Sequence, residues 1–184
     1  MLLRVCYTSS MTRLNIIDVE TTGLSAQASR VIEIGVIQVE DGEVVKRYSQ
    51  LVNPEGRVPS FITHHTGITN AMIKNAPTFA DILPEVRLLL DQGIFVAHNA
   101  AFDYSFIRHE YRRQGLSFVA PQLCTVKLSR RLFPGYARHG LDQIIRRFNI
   151  DCPSRHRALD DAEVVWRFYQ QISRTVDPTQ MLVY

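Results

Sequence analysis

A chain of 184 residues, 46% hydrophobic and with a formal net charge of +3, is large enough to bury one sizeable core and has an ordinary globular composition. No apolar run is long enough to span a bilayer, which excludes a helical membrane protein. The three cysteines, Cys6, Cys124 and Cys152, contain no CxxC pair, so neither a disulfide framework nor a structural zinc site is expected, and the default setting is reducing and cytoplasmic.

Residues 1–11 read as an N-terminal extension, too poor in basic and apolar residues for a secretory signal, with Met11 as an alternative translation start. The run from Leu14 to Gly23 is an apolar strand that ends in two carboxylates and a Thr-Thr-Gly turn. Residues Arg30 to Val39 and Glu43 to Leu51 read as second and third strands joined by Asp41-Gly42, a hairpin signal, so the first three strands should form an antiparallel meander. Residues 53–77 hold Pro54, Gly56, Pro59, Gly67 and Pro77 without a sustained period, which predicts short helical turns joined by loops.

Thr78 with Asp81 predicts a capped helix to about Asp91, with Pro84 disturbing its hydrogen bonding. A buried-type strand is expected at Ile94–His98 and a helix from Ala100 to Gln114, stopped by Gly115. A short strand near Ser117–Leu123 and helices near 125–133, 141–148 and 157–173 complete the chain. A meander followed by alternating strands and helices predicts an α/β domain with a mixed sheet between helical layers.

Side chains alternate across a strand, so Asp18 and Glu20 share one face while Ile17 and Val19 face the other. Two such charges repel unless a cation sits between them or one stays protonated. A solvated strand end is the competing reading. Asp103 lies in the first turn of a predicted helix, where the helix dipole alone favours an acid, and His156 and Asp161 lie near the start of the last helix. Oxygen ligands suit Mg2+ or Mn2+, and four converging carboxylates could hold two such ions roughly 3.5–4 Å apart. An imidazole with an ordinary pKa of about 6.5 could then take a proton from water near neutral pH.

Leu14 to Gly23, His98-Asn99-Ala100-Ala101-Phe102-Asp103 and His156 to Asp161, in this order, resemble the DEDDh branch of the DnaQ-like 3'-5' exonuclease superfamily, to which the epsilon proofreading subunit of bacterial DNA polymerase III belongs. The likeness covers roughly residues 12 to 173. It implies a ribonuclease H-like three-layer fold with a mixed five-stranded sheet flanked by helices, an exonuclease domain over 12–174 and a tail over 175–184. It also implies metal ligands at Asp18, Glu20, Asp103 and Asp161, and His156 as general base. In the last motif the ligand stands five residues after the histidine, which selects Asp161 and leaves Asp160 as an exposed helix-start residue.

By the same resemblance Thr21, Thr22, Gly23 and Leu24 lie against the terminal nucleotide, with Leu24 a wedge between the last bases; a plain turn is the alternative. His98, Asn99 and Phe102 shape the site, Phe102 chiefly by core packing, and His64 and His65 are structural or near-site. Basic residues at 127, 130, 131, 138, 146, 147, 155 and 157, with His139, could track a phosphate backbone, or could be solvated helix faces. The tail Gln180-Met181-Leu182-Val183-Tyr184 loosely resembles peptides bound by bacterial sliding clamps. The implied activity is metal-dependent hydrolysis of single-stranded or frayed DNA 3' ends, releasing nucleoside 5'-monophosphates in proofreading or repair, with a DNA polymerase or sliding clamp as partner. An RNA-trimming exonuclease and a non-catalytic nucleic-acid-binding module are the alternatives.

Overall fold

The computed structural model describes residues 13–174. The N-terminal extension, Met11 and the clamp-like tail lie outside the described residues. Three strands, β1 (Arg13–Thr21), β2 (Val31–Glu40) and β3 (Glu43–Leu51), form the expected antiparallel meander. Asp41 (φ 50°) and Gly42 (φ 87°) turn the hairpin in the left-handed geometry that this pair tolerates. On the other side of β1, β4 (Ile94–Ala97) and β5 (Gln122–Cys124) add in parallel, so the sheet order is β3-β2-β1-β4-β5.

Seven helices complete the described residues: α1 (Ser60–Thr66), α2 (Asn70–Ile73), α3 (Phe79–Leu90), α4 (Ala100–Arg113), α5 (Thr125–Leu132), α6 (Leu141–Phe148) and α7 (Ala158–Ser173). The interior strand β2 is buried from Val31 to Val39, as a strand covered on both faces must be. The edge strand shows the two faces directly: Lys46 reaches Glu85 of α3 at 2.9 Å, while its neighbour Arg47 reaches Glu163 of α7 at 3.2 Å. Adjacent residues of a strand point oppositely, so α3 and α7 cover opposite faces. Between sheet and α3/α4 lie Ile17, Val19, Phe79, Val86, Phe106 and Ile107; between sheet and α6/α7 lie Ile16, Ile37, Ile144, Val164 and Phe168. Ile62 of α1 and Ile73 of α2 cover Ile32 and Val58 in a smaller cluster.

Two elements differ from the sequence reading. The helix after Thr78 carries a full capping box, with Asp81 accepting the Thr78 N–H at 2.8 Å, and runs unbroken past Pro84. The strand expected from Ser117 shortens to Gln122–Cys124. Phe118 turns inward instead, 4.9 Å from the Tyr111 ring and 5.4 Å from Tyr104, and the Ala120 N–H goes to the Tyr104 hydroxyl. Aromatic burial overrides the ladder there.

Candidate active site

β1 outruns its parallel neighbour. Pairing with β4 ends at Ile16–Val96, so the β4-side edge from Asp18 onward has no strand partner. The open carboxyl end of parallel strands is where α/β sheets commonly hold ligands. Asp103, in the first turn of α4, uses that edge: its Oδ1 accepts the Val19 N–H at 3.2 Å.

The third carrier is α7, and Gly35 lets it approach. In the β1–β2 register Asp18 lies opposite Gly35, and Glu20 opposite Glu33, so all four positions share the α7 face. A Cβ on Gly35 would stand 2.4 Å from the backbone of both Ala158 and Leu159. Only glycine allows the first turn of α7 to settle here. Buried Glu33 then pins that turn: it binds the Arg157 guanidinium, with Nη2–Oε1 at 2.6 Å, and accepts the Ala158 N–H at 3.0 Å. An anion at a helix start also meets the positive end of the helix dipole.

These contacts bring the predicted residues together. Ligand atoms of Glu20, His156 and Asp161 lie within 4.8 Å of one another. Asp103 and Asp161 are buried, whereas Asp18 and Glu20 keep some exposure. His156 adopts φ 62° and Asn99 φ 78°, left-handed conformations that cost non-glycine residues on the order of 1–3 kcal/mol each and are typical of functional sites.

The carboxyls disfavour one another's ionisation. Burial, then Asp103, Asp161 and Glu20, hold Asp18 well above the usual carboxylate range. Burial, followed by Asp161 and Glu33, pushes Glu20 up to about 8. Burial also raises Asp103, against the backbone N–H groups that donate to it, and raises Asp161, against the opposing charge of Arg155. Four acids in this state, with an imidazole beside them, are a hard-donor set that fits divalent cations. His156 moves the other way: burial first, then Arg155 and His65, lower its pKa, so the ring is neutral at pH 7.

Three contacts were not readable from the sequence. Arg155 forms ion pairs with Asp161 and, at 2.8 Å, with Asp142 of α6, placing a cation within the acidic group. The His156 backbone N–H donates to Asp161 at 3.2 Å. The His65 ring of α1 lies 3.9 Å from that of His156, which makes His65 the near-site member of its pair. Adjacency of Arg155 to His156, and the resemblance that left His64 and His65 structural or near-site, were the available signals; Asp142 arrives through packing.

The turn after β1 is largely self-contained. Thr21 is buried and donates to the Gly23 carbonyl at 2.7 Å, and the Thr22 hydroxyl accepts the Arg30 N–H at 3.0 Å. Leu24, 87% exposed, projects into solvent. His98 is a half-buried latch: Nε2 donates to the His139 carbonyl and Nδ1 takes the Thr125 hydroxyl, both at 2.9 Å, and desolvation lowers its pKa to about 4. Asn99 is exposed and makes no side-chain cap to α4, while Phe102 packs 4.9 Å from Phe106.

Two expectations need correction. Asp160 is half-buried rather than exposed, and its charge acts on Arg157. The basic residues are not one free surface: His139 is buried, 2.8 Å from Ser129 Oγ, Arg147 stacks on Tyr136, and Arg155 and Arg157 are tied to carboxylates.

Comparison with known proteins agrees with this geometry. The RNase T exonuclease family model matches residues 16–169. The DNA polymerase III subunit epsilon of Aquifex aeolicus is 37% identical over 159 residues, which cover 85% of this chain and 78% of that protein. The 3'-5' exonuclease DinG of Bacillus subtilis is 37% identical over 162 residues, 87% of this chain but 17% of its own length. Among PolC-type polymerases that also match, the chain spans about a tenth of the length. Exonuclease X, solved with 5' overhanging duplex DNA, superposes with a TM-score of 0.72 at 30% identity, covering 91% of this chain and 96% of that one. DEDDh nucleases at lower identity share the ribonuclease H-like fold. No helix among the described residues is long and apolar enough to cross a membrane. The match over residues 16–169, with the DEDDh residues gathered at one sheet end, means that this chain belongs to the exonuclease family, in its DnaQ-like DEDDh branch.

Proposed function

We propose that the chain is a metal-dependent 3'-5' exonuclease that removes nucleoside 5'-monophosphates from single-stranded or frayed DNA ends, in proofreading or repair. The observation that carries this reading is the convergence of four raised-pKa carboxyls and a neutral histidine at the open end of β1. Asp18, Glu20, Asp103 and Asp161 would hold two divalent cations, Mg2+ or Mn2+, which when bound would activate water and offset charge on the leaving oxygen. His156, neutral at working pH, accepts the water's proton. Asp161 fixes the His156 backbone, and the His65 ring restrains the imidazole from one side. With the Thr21 hydroxyl donating within its own loop, the terminal sugar is met by backbone groups of that loop and by the Thr22 hydroxyl, which accepts from Arg30 and can still donate, and exposed Leu24 parts the last bases. Likeness to the epsilon subunit supports a place beside a polymerase or its sliding clamp.

The test is direct. End-labelled DNA and RNA oligomers are incubated with the protein in Mg2+, in Mn2+ and in chelator. Metal-dependent shortening from the 3' end, faster on DNA, is the expected result. Faster RNA trimming would move the substrate to RNA, and no shortening with either metal would overturn the enzyme reading.

A further inference from the structure

A cavity of about 620 Å3 opens between the start of α4, β5 and α5. Asn99 and Ala101 form one wall, Cys124 another, and Lys127 and Arg130 stand one helical turn apart on α5; no carboxylate lines it. Lys127 and Arg130 are exposed, and no acidic partner takes either among the described residues. That sets them apart from Arg155 and Arg157, whose charges are spent on Asp161, Asp142 and Glu33.

The cavity also adjoins the candidate active site. Its wall at Asn99 and Ala101 leads into the same turn of α4 that carries Asp103, and its rim at Gly140 stands two residues before Asp142, the partner of Arg155. Val126 and Cys124 add apolar surface to the lining, and the space is large enough for a nucleotide. An acid-free cavity with two unpaired cations selects an anion, and apolar walls select one with a flat or sugar-like body.

We propose that this cavity is a second nucleotide subsite, in which Lys127 and Arg130 hold a phosphodiester of the bound strand upstream of the scissile bond. The inference rests on the nuclease reading above. Held this way, the strand gains affinity without base preference, and the gain is the same before and during reaction. Such uniform binding lowers KM and leaves kcat unchanged.

The test compares wild type with the double variant Lys127→Ala, Arg130→Ala on two substrates. One is the p-nitrophenyl ester of thymidine 5'-monophosphate, too short to reach the cavity; the other is a ten-residue oligothymidylate. The expected result is a KM raised about tenfold or more on the decamer, with kcat and turnover of the ester unchanged. Binding of a fluorescein-labelled decamer in chelator, followed by anisotropy, supplies a readout free of catalysis. For one phosphate of a single strand no longer neutralised, the slope of log K against log salt should shrink by about 0.7. Lys46→Ala, on the far sheet edge and paired with Glu85, should leave both measurements as in wild type. Equal losses on ester and decamer, or an unchanged KM and salt slope, would overturn the subsite. Wild-type protein that cleaves neither substrate would overturn the nuclease reading instead, while the salt slope would still report on the cavity.

Discussion

Asp160 and Asp161 are adjacent acids at the head of α7, and their surroundings assign them different work. Asp161 is 3% exposed and is held by the His156 N–H and by Arg155, within 4.8 Å of Glu20 and His156. Asp160 is half-buried beside Arg157 and Cys152, on both of which its charge acts. Asp161→Asn removes a charged ligand while keeping the shape, so turnover of a labelled oligonucleotide should fall by at least about 10²–10³-fold, the scale of losing one key electrostatic group in a site. Asp160→Asn should stay within about threefold of wild type. Equal losses in the two variants would undo the assignment. At this scale the sequence was informative because like charges at alternate strand positions and an acid five residues after a histidine form a readable pattern. Arg155 was not readable as a partner of Asp161, since its other anchor, Asp142, stands 13 residues earlier and meets it only through the packing of α6 on α7.

Among the elements, α7 decides whether the site exists. Its first turn lies on the sheet only because Gly35 offers no side chain, and Glu33 then fixes its angle through Arg157 and Ala158. Gly35→Ala should therefore destabilise by about 1–3 kcal/mol through overpacking against backbone that cannot rotate away. In a domain of this size that is a Tm loss of roughly 2–4 °C per kcal/mol. Activity should fall further than stability predicts, because a shift near 1 Å at Asp161 can remove about 10²-fold of rate. Gly135→Ala, where an added Cβ meets nothing within 4 Å, is the control and should be close to neutral. Wild-type activity in Gly35→Ala would show that α7 docking does not position the ligand. Elements with a strong local signal, such as the Asp41-Gly42 hairpin and the Thr78–Asp81 cap, were legible beforehand. β5 was not: the residues before it carry strand-like composition, but Phe118 gains more from Tyr104 and Tyr111 than from a ladder position.

Taken as a whole, the molecule stores charge repulsion where it expects cations. Glu20 moves from an ordinary value near 4.5 to about 8, and Asp18, Asp103 and Asp161 move in the same direction. A carboxyl raised in the fold binds more protons folded than unfolded across that window, so metal-free stability falls as pH rises through it. His98, lowered to about 4, and His156, also lowered, act oppositely: the unfolded chain takes up more protons below about 6.5, and stability there rises with pH. The two effects separate above the histidine range, so pH 6.5 to 8 isolates the carboxyls. In chelator the Tm should decline across that interval, each extra proton held by the fold contributing at most about 1.4 kcal/mol per pH unit. Saturating Mg2+ or Mn2+ should flatten the decline and raise Tm more at pH 8 than at pH 6.5, because bound cations replace those protons. Glu20→Gln should make it shallower without metal, since the neutral amide has no proton to lose while Asp103, also raised to about 8, still titrates. A metal-free Tm that is level or rising from pH 6.5 to 8 would mean that the four acids already coexist as carboxylates, and the case for a cation-dependent site would lose its electrostatic footing.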